Sequence, residues 1–221
     1  GFCFPRLWFL SDGGSVLAKK KTLIFSADDG IHGPELWITD GTAKGTKLLK
    51  DINPGPGRAD FNQVATLSNG LVVFSAKDFD ADTPHGDELW VTNGTKGGTK
   101  LVKDIEPGAD GSTIAYLTSL GNGKAVFKAS TDAYGSELWV TDGTAKGTKL
   151  VKDILTGEHW DSLAGKMVQN SSTPSEITVI GKGQAVFRAT SAEAGTEIWI
   201  TDGTKGGTHL LKDINPGSGN S

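Results

Sequence analysis

The chain has 221 residues, room for one large all-β domain or two small ones, and a formal net charge of −4. That charge lacks the basic footprint of a nucleic-acid binder and argues against an anionic membrane surface as partner. The single cysteine, Cys3, excludes an intrachain disulfide and a cysteine-based zinc site, and the 31 glycines point to many tight turns.

The N-terminus, Gly1-Phe2-Cys3-Phe4-Pro5, has neither an initiator Met nor a signal-peptide pattern and reads as a processed end or an excised fragment. Leu7-Trp8-Phe9-Leu10 follows, closed by Asp12-Gly13-Gly14, and then Leu23-Ile24-Phe25-Ser26. Next comes Glu35-Leu36-Trp37-Ile38-Thr39-Asp40-Gly41-Thr42, with Gly45-Thr46 and Lys50-Asp51-Ile52 behind it. The same pieces return in the same order. The second set is Val64 to Leu67, Asn69-Gly70, Val72-Val73-Phe74-Ser75, Glu88 to Thr95 and Lys103-Asp104-Ile105. The third is Tyr116 to Leu120, Asn122-Gly123, Ala125-Val126-Phe127-Lys128, Glu137 to Thr144 and Lys152-Asp153-Ile154. The fourth is Ile177 to Ile180, Gly181, Ala185-Val186-Phe187-Arg188, Glu197 to Thr204 and Lys212-Asp213-Ile214.

Each set predicts four short strands joined by tight turns. Asn-Gly between apolar runs is a strong hairpin signal, and Gly or Pro interrupts every window of helical length. In the third strand Leu36 and Ile38 face one way and Trp37 and Thr39 the other, so both faces carry bulk and expect a neighbour. Tandem four-stranded units of about 40–50 residues are the pattern of propeller blades. The expected fold is all-β: a four-bladed β-propeller, each blade a four-stranded antiparallel sheet. It forms one domain over 1–221, with units at 4–54, 61–107, 113–155 and 175–216. A fragment of a larger ring and a linear solenoid are the alternatives.

The run Glu-Leu-Trp-x-x-Asp-Gly-Thr, continued by Gly-Thr and Lys-Asp-Ile, resembles the ELWxxDGT repeat family in all four units, with Asn93 standing where the family has Asp. That family occurs in large, mostly secreted or surface-attached proteins and is defined by its repeat, not by an activity. The blade grammar is similar to that of TolB-type propellers. The resemblance implies an extracellular propeller-like module used for scaffolding and interaction.

The repeated polar residues have two readings each. Asp40, Asn93, Asp142 and Asp202 suit tight turns, where a short side-chain oxygen caps backbone amides. Glu35, Glu88, Glu137 and Glu197 are expected to pair with Lys50, Lys103, Lys152 and Lys212; a ring of carboxylates holding a cation is the other reading. Trp37, Trp90, Trp139 and Trp199 are expected in an inter-blade core, and as sugar platforms they would make a multivalent lectin.

Function on a rigid scaffold concentrates in loops, so departures from the repeat carry the site expectations. Asp78, Asp80 and Asp82 alternate in the loop from Lys77, and with Asp87 they resemble the ligands of an oxygen-rich calcium loop; a solvated acidic loop is the plain alternative. The linker 155–175 holds His159, Trp160 and Asp161 as candidate ligand-binding residues, with Trp160 either anchoring the loop or offering an aromatic platform. Asn93-Gly94-Thr95 and Asn170-Ser171-Ser172 are sequons, the second in an expected exposed loop. No nucleophile elbow, HExxH, P-loop or dinucleotide motif occurs, so the chain is read as non-enzymatic. The expectation is an extracellular binding module for a glycan or a protein surface, with calcium as the one candidate cofactor. The alternative is a structural building block of a secreted or cell-surface assembly.

Overall fold

The computed structural model describes residues 7–9, 22–79 and 84–217, and no helix occurs among them. The chain divides into two compact units, 1–111 and 112–221. The first holds two antiparallel sheets. One is β1 (Leu7–Phe9), β2 (Leu23–Asp28), β3 (Pro34–Thr39) and β4 (Lys47–Lys50). The other is β5 (Val64–Thr66), β6 (Val72–Asp78), β7 (Gly86–Thr92) and β8 (Lys100–Lys103). The second unit holds β9 (Ala115–Ser119), β10 (Ala125–Thr131), β11 (Gly135–Thr141) and β12 (Lys149–Lys152), then a hairpin of β13 (Glu158–Asp161) and β14 (Lys166–Gln169). Its last sheet is β15 (Ser175–Gly181), β16 (Gln184–Ser191), β17 (Gly195–Thr201) and β18 (His209–Lys212). Every four-stranded sheet is a meander in chain order. The sequence counts four sheets and the described residues form five, because the stretch read as a linker folds into a hairpin of its own.

Inside each unit the two large sheets pack face to face. In the first, Trp90 of β7 lies in one apolar cluster with Ile24, Leu36, Ile38 and Leu49 of the preceding sheet. In the second, Trp199 of β17 lies with Val126, Leu138, Val140 and Val151. An indole buried this way contributes about 3–5 kcal/mol relative to alanine. Trp90, Trp139 and Trp199 are buried, which removes the reading in which the four repeat tryptophans serve as equivalent sugar platforms. A bulge recurs at each third-to-fourth strand pairing: Leu36 opposes Lys50 and Trp37 opposes Leu48, leaving Leu49 extra and turned into the core.

Glu35 and Glu137 pair with backbone amides and not with Lys50 and Lys152. Glu35 is fully buried and accepts the backbone amides of Ile52 (2.8 Å) and Asn53 (3.0 Å). Glu88 accepts Glu106 N and Glu197 accepts Asn215 N. Lys152, the expected partner of Glu137, instead donates to the Thr208 carbonyl at 3.1 Å and stands 5.3 Å over the Trp199 ring. The carboxylate thus closes the corner after the fourth strand, where backbone amides would otherwise be buried without acceptors. Burial pushes Glu35 up to about 7 against the pull of its two amides.

The turn reading holds for the Asp positions. Asp40 Oδ1 accepts Thr42 N at 3.1 Å and Thr42 Oγ1 at 2.6 Å, and Asn93 Oδ1 accepts Thr95 N at 3.1 Å and Thr95 Oγ1 at 2.7 Å. The carbonyl oxygen suffices, so Asn serves as well as Asp.

Candidate functional site

The hairpin β13–β14 grows out of the second unit between β12 and β15, and its register sorts its side chains onto two faces. His159 opposes Val168 and Asp161 opposes Lys166 on one face; Trp160 opposes Met167 on the other. Asp161 builds the turn: its Oδ1 accepts Leu163 N (2.8 Å) and Ala164 N (3.1 Å), and Gly165 returns the chain at φ 64°. Those amides hold the Asp161 carboxyl below its ordinary range.

The root of the hairpin is fixed from three directions. Asn170 N donates to Gly157 O at 2.8 Å, and its Nδ2 donates to Thr156 O at 3.1 Å. That second bond orients the amide, so Asn170 Oδ1 faces His159 Nδ1 at 2.9 Å and accepts a hydrogen bond from it. His159 Nε2 is left as an acceptor. Below this, the buried Glu137 accepts Ser172 N (2.8 Å), Ser172 Oγ (2.6 Å) and Ile154 N (3.1 Å), tying together the two ends of the segment that carries the hairpin. Burial raises the Glu137 carboxyl above its ordinary value. Gly135 lets the chain cross here: a Cβ would stand 2.2 Å from the Asn170 carbonyl oxygen. The sequon at Asn170 is therefore not an exposed loop, since its amide is engaged on both sides and Ser172 is fully buried.

Between the hairpin and the β10–β11 turn lies a cavity of about 440 Å³, lined among others by Thr131, Asp132, Ser136, His159, Asp161 and Lys166. The volume lies within the range of about 300–1,000 Å³ typical of small-ligand sites. Lys166 Nζ and Asp132 Oδ2 stand 3.8 Å apart across its mouth, an exposed pair worth little in stability. The walls present an imidazole acceptor, the second oxygen of Asp161, an ammonium and several hydroxyls, a set suited to hydrogen-bonding a polar ligand.

Of the residues expected to bind ligand, His159 and Asp161 come together in this cavity. Trp160 is not among its lining; it is 62% exposed on the outer face opposite Met167, which argues against its anchoring the loop. Of the expected calcium ligands, Asp78 is buried with its Oδ2 3.0 Å from His85 Nδ1, and Asp87 stands in β7 opposite Lys77. Burial pushes Asp87 up to about 6. Asp80 and Asp82 lie outside the described residues, among which no cluster of three or more metal-ligating side chains occurs.

No protein-family model and no curated protein sequence matches the chain. Solved structures do. A puromycin hydrolase is 16% identical at a TM-score of 0.48, covering 90% of this chain and 27% of that one. A prolyl endopeptidase is 16% identical at 0.49, covering 86% and 24%. TolB from Acinetobacter baumannii is 11% identical at 0.42, covering 86% and 40%. The chain thus spans about a quarter of the length of the hydrolase and peptidase structures it resembles. The non-enzymatic expectation is corrected by these neighbours, two of which are enzymes by name, although likenesses this distant assign no activity to this chain.

Proposed function

We propose that the four-stranded sheets are propeller blades and that the protein is an extracellular binding module for a glycan or a protein surface. Its recognition site is the cavity beside the β13–β14 hairpin. One observation carries the reading: an imidazole oriented by Asn170 and a carboxylate oriented by its own turn stand on the same hairpin face, over a polar cavity of about 440 Å³. Trp160, exposed on the opposite face of the hairpin, adds an aromatic platform outside the cavity. The test is binding on glycan and protein arrays, compared with Asp161→Asn. That variant keeps the turn, because the amide oxygen still accepts Leu163 N and Ala164 N, but it turns the other oxygen into a donor. Loss of one hydrogen bond to a charged group, about 1.5–3 kcal/mol, weakens binding by roughly tenfold or more. Undiminished binding by the variant removes the cavity from the reading.

The loop after β6 is proposed as a calcium site built on Asp78, Asp80, Asp82 and Asp87. Calcium should raise the melting temperature of the wild type but not of Asp80→Ala; an equal rise in both refutes the site.

A further inference from the structure

The cavity beside the hairpin divides its hydrogen-bonding groups by wall. On the hairpin side, Asp161 Oδ1 is taken by Leu163 N and Ala164 N, and His159 Nδ1 by Asn170 Oδ1. What each residue still has to offer is an acceptor, Asp161 Oδ2 and His159 Nε2, two residues apart on one strand face. Away from the hairpin strands, Thr131 Oγ1 accepts Tyr134 N at 3.1 Å and Ser171 Oγ accepts Ser136 N at 2.9 Å, so each hydroxyl has its proton left to donate. A ligand spanning the two sides must donate on one and accept on the other, which a hydroxyl group does by itself.

Charge and polarity narrow the choice. The lining carries the carboxylates of Asp132 and Asp161 against the one ammonium of Lys166, and that ammonium stands 3.8 Å from Asp132 Oδ2. The backbone amides that hold the Asp161 carboxyl below its ordinary range keep it ionised. His159 adds no charge while its Nε2 accepts. An anionic ligand therefore meets net negative charge. A protein partner needs a large apolar or aromatic anchor in a dry pocket, and the apolar side chains of this lining are only Met167 and Val168.

We propose that the cavity binds an uncharged glycan, a short chain of neutral sugars, in preference to an acidic glycan or a peptide. The inference rests on the cavity as the recognition site and narrows the class of its ligand. The hairpin belongs to no repeat and occurs once among the described residues, so the fourfold pattern does not multiply the site and each chain takes one glycan there.

The test is a parallel screen of the chain on neutral oligosaccharides, on oligosaccharides bearing uronate, sialate or sulfate, and on peptides, followed by calorimetric titration of the strongest neutral oligosaccharide. Binding should be confined to the neutral glycans, with one bound per chain, and should not weaken with added salt, since no ion pair is made. His159→Phe removes the imidazole acceptor at an exposed position and should weaken binding roughly tenfold, with circular dichroism confirming the fold. Acidic glycans bound as well as neutral ones, more than one neutral glycan per chain, or no glycan bound at all each overturn the proposal. Binding confined to peptides overturns the ligand class; if Asp161→Asn weakens that binding, the cavity itself stands as the recognition site. Neutral-glycan binding indifferent to both Asp161→Asn and His159→Phe removes the cavity, and this inference with it.

Discussion

Replacing Glu137 by Gln tests whether one buried carboxylate positions the candidate site. The wild-type carboxylate accepts three hydrogen bonds, from Ser172 N, Ser172 Oγ and Ile154 N. In the amide, the remaining oxygen keeps Ser172 N. The new NH₂ group replaces the oxygen that faced Ser172 Oγ and Ile154 N. The hydroxyl can rotate and accept, but the Ile154 amide cannot, so a donor meets a donor. One buried N–H left without an acceptor costs about 1–3 kcal/mol. Removing a charge that burial already disfavours offsets part of this, and a net loss of about 1–2 kcal/mol is expected. That lowers the melting temperature by roughly 2–8 °C for a protein of this size. Amide hydrogen exchange gives the sharper reading. Protection of Ile154 N should fall and the hairpin amides of residues 158–169 should open more often, while β2–β4 stay as they were. Glu137→Gln with wild-type exchange at Ile154 and an unchanged melting temperature would falsify the claim that this carboxylate holds the hairpin root.

Three further outcomes follow from the geometry. Gly135 and Gly165 share a φ of 64°, but a Cβ at Gly135 meets the Asn170 carbonyl at 2.2 Å whereas none lies near Gly165. Gly165→Ala should therefore lose only the left-handed strain, about 1 kcal/mol, and Gly135→Ala clearly more, as denaturant melts will show. Glu35 is raised from 4.5 to about 7 in the folded protein, so unfolding releases its proton between those values and stability falls as pH rises through that window. Glu35→Gln should flatten the slope of melting temperature against pH there; an unaltered slope assigns the titration elsewhere. Asn93→Asp should change stability by no more than about 0.5 kcal/mol, since the turn uses only the oxygen that both side chains share.

Much of the fold is legible in the sequence because its signals are local. Period-two runs, Asn-Gly turns and the octapeptide place the strands to within three residues at their ends, and β1 at Leu7–Phe9 emerges even from the least regular repeat. The Asp-Gly-Thr turns are read from chemistry acting over two residues. The hairpin at 158–169 was legible too, since four residues alternate on either side of an Asp-to-Gly turn. It is missed because it belongs to no repeat and its strands are short and polar. Another overlooked signal is the glycine two residues before each repeated glutamate: Gly33, Gly86, Gly135 and Gly195. At Gly135 the reason is a backbone crossing that no local pattern announces.

Strand order, turn chemistry and the alternation of bulk on both faces were determined by the sequence alone, since each depends on neighbours a few residues apart. The partners of the buried glutamates and the split of His159 and Asp161 from Trp160 were decided by the tertiary structure. A carboxylate is matched to a lysine by charge on paper, but in a dry corner it goes to backbone amides 17 to 35 residues away, which have no other acceptor within reach.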